Sequence, residues 1–355
     1  MRIASVEAVP YSLPFREPYV TAAGTLTRRE MVLLRLRDED GLIGLGEAVP
    51  LSMRGGASLG QVVEEMEGLG EWDTLDETTL HGSAATLSAP ARCAGLTALL
   101  DLRGKRASAG ESAAGGVSPS VRCNATLAAG DPGAVVSAAE RWARDGFSTF
   151  KLKLGTGDAA AQVRAVREAL GPRARIRVDA NAAWDLDTAR RILGEIEPYE
   201  IELVEQPVAT VEEAAALAGS TEIPLAADES VESRADAQRV AASGAFALTG
   251  IKLSKVGGPE EALEIAEVLP AYMSSALDGP VGIAAALQVA QSLGDLGRVA
   301  GESLAHGLAT QRLFASTIAS VECELRGDML HPPAGPGLGV EIDEGALATH
   351  RLDTR

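Results

Sequence analysis

The chain has 355 residues, 46% of them hydrophobic and 23% charged, and its 32 Lys plus Arg against 50 Asp plus Glu leave a formal net charge of −18. This is the composition of a globular protein with room for one large core and an accessory domain. The acidic balance argues against nucleic acid, whose phosphates need basic patches, and against anionic membranes bound by charge. No stretch of about 20 apolar residues is present to span a bilayer, and the opening "MRIASVEAVPYSLPF" lacks a long apolar signal-peptide segment, so the expected location is cytoplasmic. Cys93, Cys123 and Cys323 lie far apart with no CxxC pattern and read as free thiols in a reducing compartment.

In chain order, "RIASVEAVPYSLP" and "REMVLLRLRDEDGLIGLGEAVP" read as strands, with "DEDG" as a hairpin turn in the second and the polar loop "REPYVTAAGTLT" between the two. Helices follow near 59–70 and 88–106. Together they predict an α+β domain over 1–116, ending in the Gly/Ser-rich "SAAGGVSPS". From 117 to 325 short apolar runs alternate with amphipathic helical stretches. The runs are "SVRCNATL", "TFKLKLG", "ARIRVDAN", "IELVEQP", "PLAADES", "LTGIKLSKVGG" and "AYMSSALDG", with a weak eighth in "SLAHGL". Such alternation predicts a parallel sheet, and eight units predict a (β/α)8-type barrel. The spacing agrees: 26 residues from Lys153 to Asp179, 26 from Asp179 to Glu205, 23 from Glu205 to Asp228 and 24 from Asp228 to Lys252. The Pro/Gly-rich tail, 326–355, is expected to return to the N-terminal domain.

Charged residues recur near the C-terminal ends of these strands, where barrel active sites sit. Asp179, Glu205 and Asp228 end three successive strands. Three carboxylates in one tight site need a cation, and an all-oxygen site suits Mg2+. On the flanking strands lie Lys151 and Lys153 on one side and Lys252 on the other. Alternation points Lys151 and Lys153 to the same face. A divalent cation on a substrate carboxylate stabilises the charge left when the α-proton departs. A lysine serves as the base if its pKa falls, and a neighbouring ammonium lowers it. Lys151 is therefore expected to tune Lys153, the base, with Lys252 acting on the opposite face.

The series "KLK", "DAN", "EQP", "DES" and "IKLSKVGG" resembles the enolase superfamily, in its muconate-lactonising branch, over nearly the whole chain; "GEAVPL" and "GPGLGV" resemble that family's capping domain. The resemblance implies a (β/α)8-type barrel with an N-terminal α+β capping domain. It implies Mg2+, with Mn2+ as a substitute, on Asp179, Glu205 and Asp228. Lys153 and Lys252 would be the acid/base pair, and Asn181 and Glu229 would adjoin the metal. Its members act on small-molecule carboxylates and are often homo-oligomers.

Each motif alone has a plainer reading. "KLK" suits a solvated edge strand, "DAN" a turn, and "DES" a helix cap, with Ser230 capping the next helix. Their order and spacing carry the assignment. The histidines, His81, His306, His331 and His350, show no zinc spacing. His306 suits either the pocket wall or a structural place. "GTG" at 155–157 lacks a dinucleotide fingerprint, and Arg54 reads as a surface charge.

Within the branch, "SSALDGPVGIAAALQVAQ", "AHGLATQRLF", Arg177 and Trp184 resemble the bacterial o-succinylbenzoate synthases of menaquinone biosynthesis. That likeness implies dehydration of 2-succinyl-6-hydroxy-2,4-cyclohexadiene-1-carboxylate. Ser274 and Ser275 would hold the succinyl tail, and a 15–30 loop with Thr21 and Thr25 would close the site. The alternatives are an N-acylamino acid racemase, a dipeptide epimerase on the same two lysines, and a metal-dependent acid-binding pseudoenzyme.

Overall fold

A computed structural model describes residues 1–21, 24–52, 55–69, 76–83, 86–110, 119–154, 158–299 and 302–353. The N-terminal part is an antiparallel sheet, β1 (Ile3–Thr21), β2 (Gly24–Asp38) and β3 (Ile43–Ala48), in that order. Its central run "MVLLRL" is apolar on both faces because both are covered. Met31 and Leu33 join Val9, Tyr11 and Leu13 in the core shared with the barrel. Val32, Leu34 and Leu36 instead pack against the helices α1 (Leu59–Leu69) and α3 (Ala89–Gly110). A short helix, α2 (Glu77–Ser83), lies between those two in sequence and was not expected from it. Glycines let α3 lie close on β3: a Cβ at Gly46 would sit 1.9 Å from the Ala94 carbonyl oxygen.

One expectation changes in this region. The segment 15–30 is no loop but a hairpin arm, in which β1 and β2 pair as far as Thr21 and Gly24 past an irregularity between Pro14 and Tyr19. Thr25 is exposed on it; the Thr21 side chain, Arg54, the expected domain boundary at 116 and "GTG" at 155–157 lie outside the described residues. The "DEDG" turn is present, with the Gly41 amide donating to the Asp38 carbonyl at 3.1 Å.

The second part begins with a two-residue strand, β4 (Val121–Arg122), which pairs antiparallel with Met329–Leu330. Strand and helix then alternate. The succession runs β5 (Ala125–Leu127), α4 (Pro132–Arg144), β6 (Thr149–Lys153), α5 (Ala159–Leu170), β7 (Arg175–Asp179) and α6 (Leu186–Ile196). It continues through β8 (Ile201–Glu205), α7 (Val211–Ala218), β9 (Leu225–Ala227), α8 (Arg234–Ser243) and β10 (Leu248–Ile251). After α9 (Leu253–Val256) and α10 (Pro259–Ala266) come β11 (Ala271–Met273) and α11 (Pro280–Ser292). The strands form one parallel sheet in the order β11-β10-β9-β8-β7-β6-β5. Asp131, Asp158, Asp185, Thr210 and Ser233 cap the helices that follow β5 to β9, each accepting a hydrogen bond from a first-turn amide. Ser233 thus takes the place expected for Ser230.

The eighth place is filled by an extended segment instead of a regular strand. His306 bridges Cys123 and Gly307 bridges Ser274, both in parallel sense. The Asn124 amide donates to the His306 carbonyl (2.9 Å), the His306 amide to Arg122 (2.7 Å) and the Gly307 amide to Met273 (2.7 Å). The Met273 amide donates to Nδ1 of His306 at 3.0 Å. Burial, with Arg177 nearby, pushes the His306 imidazole down to about 3, so it stays neutral and keeps that acceptor. These contacts give His306 a structural place in the closure of the barrel.

The tail meets the N-terminal sheet through α12 (Glu344–His350), where the Leu352 amide donates to Pro10 at 2.9 Å and Glu344 pairs with Arg35. All three described cysteines are free and buried, with thiols pushed up to about 12 by burial. No helix among the described residues is long and apolar enough to cross a membrane.

Candidate active site

Parallel register brings the charged side chains together. Lys153 pairs with Asp179 and Lys151 with Arg177. Asp179 pairs with Glu205, and Glu205 with Ala226, two residues before Asp228 on the same face. Below lies an apolar floor of Leu203, Ala226, Leu248, Tyr272 and Leu304. The three carboxylates are fully buried, and each offers an oxygen within 4.8 Å of the others.

Four lysines surround them. Nζ of Lys151 lies 2.5 Å from Glu205 Oε2 and 2.9 Å from Asp179 Oδ2; Nζ of Lys153 lies 2.5 Å from Asp179 Oδ2. Across the barrel, Lys252 and Lys255 both pair with Asp228, and Lys255 also donates to the Asp228 carbonyl. The sequence suggested a strand through "IKLSK". The strand stops at Ile251; Lys252 caps α9 and Lys255 follows within its single turn. Three strands, β7, β8 and β9, separate the two lysine-bearing strands, so Lys153 and Lys252 face the carboxylates from opposite walls.

Electrostatics follow from burial and these neighbours. Burial works against the Asp179 charge, but Lys151, Lys153 and Lys252 hold its carboxyl well below the usual range. Glu205 is raised, by burial first and by Asp179 next. Burial pushes the Lys153 ammonium down most and Lys151 adds to that, but Asp179, with Tyr19 and Glu205, pulls the other way; the net position is above the ordinary lysine value. The expectation of a depressed Lys153 is therefore corrected. The influence of Lys151 has the expected sign, but Asp179 counts for more.

The donor set fits a divalent cation. It is all oxygen, buried and anionic. Oε1 of Glu205 is buried and accepts no hydrogen bond among the described residues, as a ligand atom awaiting a cation would.

The other expected residues fall into two groups. Asn181 belongs to the site: its Oδ1 accepts from Lys153 at 3.0 Å, its amide donates to Asp179 Oδ1 at 2.9 Å, and its Nδ2 donates to Glu229 Oε1 at 3.2 Å. Ser274 and Ser275 line the cavity. The Ser275 hydroxyl is already engaged, donating to Asp278 at 2.7 Å and accepting from the Leu277 and Asp278 amides. Arg177 lies lower, fully buried in the barrel, on Glu202 (2.5 Å) and the Ala305 carbonyl (2.6 Å).

Several participants went unread in the sequence. Gln206 ties the ends of β8 and β9: its Oε1 accepts from the Asp228 amide at 3.0 Å and its Nε2 donates to Ser230 at 2.8 Å. Tyr272 donates its phenol to Glu205 Oε2 at 2.5 Å; strand alternation two residues before Ser274 was the signal for it. Glu47 of β3 seals the two parts, accepting from the Gly279 amide at 2.6 Å and from the Tyr11 hydroxyl at 2.8 Å. The cavity above the carboxylates holds about 650 Å³, and Tyr19, Leu26 and Arg29 of the hairpin arm form part of its wall.

Residues 134–346 match the family Enolase C-terminal domain-like, and residues 3–110 match the Mandelate racemase / muconate lactonizing enzyme, N-terminal domain. The chain is 39% identical to an o-succinylbenzoate synthase of Thermobifida fusca over 246 residues, covering 67% of this chain and 73% of that protein. It is 32% identical to a muconate cycloisomerase 1 of Pseudomonas putida, covering 98% and 97%. The dipeptide epimerase of Enterococcus faecalis, solved with Mg and the dipeptide L-Leu-L-Tyr, superposes with a TM-score of 0.86 at 26% identity, covering 96% of this chain and 100% of that one. Two domain matches that together span most of the chain, and a barrel whose strand ends carry the expected charges, make this protein a member of the enolase superfamily, in its muconate-lactonising subgroup.

Proposed function

We propose that the chain is an o-succinylbenzoate synthase. It would act by removing the proton α to the ring carboxylate of 2-succinyl-6-hydroxy-2,4-cyclohexadiene-1-carboxylate and expelling the hydroxyl as water. The observation that carries the choice within the family is the 39% identity to the Thermobifida fusca synthase. In this reading residues 1–116 cap the site, 117–325 carry the barrel and 326–355 return to the cap.

Asp179, Glu205 and Asp228 would hold Mg2+, or Mn2+ in its place. Once bound, the cation would take the substrate carboxylate and offset the negative charge that gathers there as the proton leaves. Lys153 takes the α-proton into its Nζ and passes it to the departing hydroxyl, so one proton and one hydroxide leave as water. Lys151 and Asn181 hold Lys153 and Asp179 in place. Lys252 faces the ring from the opposite wall and offsets charge. Ser274 suits the succinyl end, Arg29 from the hairpin arm supplies a cation near it, and Tyr19 and Leu26 help exclude water. Menaquinone precursor supply and a cytoplasmic setting follow from this substrate.

The test is turnover of the cyclohexadiene carboxylate with Mg2+ against a chelator-treated control. Rapid metal-dependent formation of o-succinylbenzoate supports the proposal, and a folded, metal-replete protein that gives none removes it. One observation favours a second reading, an N-acylamino acid racemase or dipeptide epimerase: Lys153 and Lys252 stand on opposite walls, as proton exchange at one carbon requires. Deuterium uptake from D2O into N-acylamino acids or dipeptides without dehydration would mark it.

A further inference from the structure

Glu205 has two unlike oxygens. Oε2 accepts from the Tyr272 phenol at 2.5 Å and from Lys151 Nζ at 2.5 Å, while Oε1 is buried and accepts nothing among the described residues. The phenol is itself held. Its ring carries the Arg177 guanidinium 5.0 Å from the centroid, and it sits fully buried in the apolar floor. Room for it comes from Gly250, where a Cβ would meet the phenol oxygen at 3.0 Å and the ring carbon bearing it at 3.1 Å.

The geometry points to Tyr272 as a positioning residue that confines Glu205 to a single ligating oxygen and so selects a small octahedral cation. The inference rests on the reading of Asp179, Glu205 and Asp228 as metal ligands. With Oε2 spoken for by two donors, Glu205 can offer only Oε1. Mg2+ takes one oxygen per carboxylate in tight octahedral geometry. Ca2+ has longer bonds, takes more ligands and gains from carboxylates that bind through both oxygens. A fixed phenol therefore favours Mg2+ and works against Ca2+. Its partner is a strand-interior tyrosine beneath the site, outside the set of residues that meet substrate.

The test uses full-length protein stripped of metal, into which Mg2+ and then Ca2+ are titrated calorimetrically. Tyr272→Phe removes only the hydroxyl and keeps the ring under Arg177. The expected result is about a tenfold or greater weakening of Mg2+ binding, a smaller change for Ca2+, and an unchanged melting temperature without metal. The infrared carboxylate bands of the Ca2+-loaded variant should shift toward two-oxygen binding relative to the unsubstituted protein. Gly250→Ala, which displaces the phenol while leaving it in the chain, should lower the preference for Mg2+ over Ca2+ in the same sense and serves if the first variant folds poorly. Unchanged Mg2+ affinity in a folded variant, or an equal loss for both cations, overturns the positioning role while leaving the metal site intact. Failure of the unsubstituted protein to bind Mg2+ removes the ligand reading and this inference with it.

Discussion

The two lysine pairs reach the same end by different local means. On β6, Lys151 and Lys153 are two residues apart in a strand, and alternation aims both inward. Opposite them, Lys252 ends a strand and Lys255 lies three residues on, in the one turn of α9, so a helical rather than an extended spacing brings both onto Asp228. The pairs also divide the carboxylates unequally. The β6 pair shares Asp179 and Glu205, whereas both lysines of the other pair form ion pairs with Asp228. Where two cations converge on one carboxylate, one can leave it while the other keeps the charge balanced. Under the proposed reaction, Lys252 would turn toward the substrate while Lys255 remains on Asp228.

The sharpest way to break this comparison is to remove one amine from each wall. Lys153→Ala should lower kcat for dehydration by about 10³–10⁴-fold, as expected for loss of the general base. Lys252→Ala, which removes charge stabilisation, should cost about 10²–10³-fold. Steady-state kinetics on both variants decide it; equal losses, with α-proton exchange into D2O halted in each, would make the two walls chemical equals and favour the racemase reading. A smaller effect is expected from Lys255→Met. It should lower kcat about tenfold by holding Lys252 more firmly on Asp228, and an unaltered rate would mean that the second cation has no part in releasing the first.

A separate effect is on stability, at the seam between the two parts. Burial, with Asp278 adding to it, raises the Glu47 carboxyl to about 8 from an ordinary 4.5. The folded chain keeps a proton that the unfolded chain releases. Unfolding therefore becomes easier as pH rises from about 4.5 to about 8, by up to ~1.4 kcal/mol per pH unit. Below that window the group is protonated in both states, and above it ionised in both. Denaturant unfolding at several pH values should show a flatter dependence in Glu47→Gln than in the unsubstituted protein; parallel curves would mean that Glu47 is ionised in the fold.

How far the sequence could be read depended on whether partners lay at regular intervals. Lys153, Asp179, Glu205 and Asp228 were legible because each ends one strand–helix unit, and a repeated interval exposes residues that share a rim. Tyr272 obeyed the same alternation but carried no charge to draw notice. The place of Lys255 on Asp228 depends on a helical turn that "IKLSK" does not announce. Glu47 could not be read as a seam, since its acceptors' partners are the Gly279 and Val281 amides, more than two hundred residues away. The hairpin arm at 15–30 was mistaken for a loop because its sequence is polar with Gly and Pro, while its strand pairing draws on apolar contacts such as Phe15 stacked on Tyr19 and Phe314. The eighth barrel strand was weak in sequence for a reason: it forms no regular ladder.

That last joint sets the order in which the barrel would come apart. Seven strands are laced by repeated backbone ladders, but among the described residues the ring is completed by three amides on carbonyls and a fourth on the imidazole of His306. An amide tied to a side chain opens whenever that ring turns, without any strand having to separate. Hydrogen exchange should therefore begin at Met273, Gly307 and Asn124, well ahead of β7 and β8. Such openings part the wall between β11 and β5, beside the Tyr272 phenol that holds Glu205.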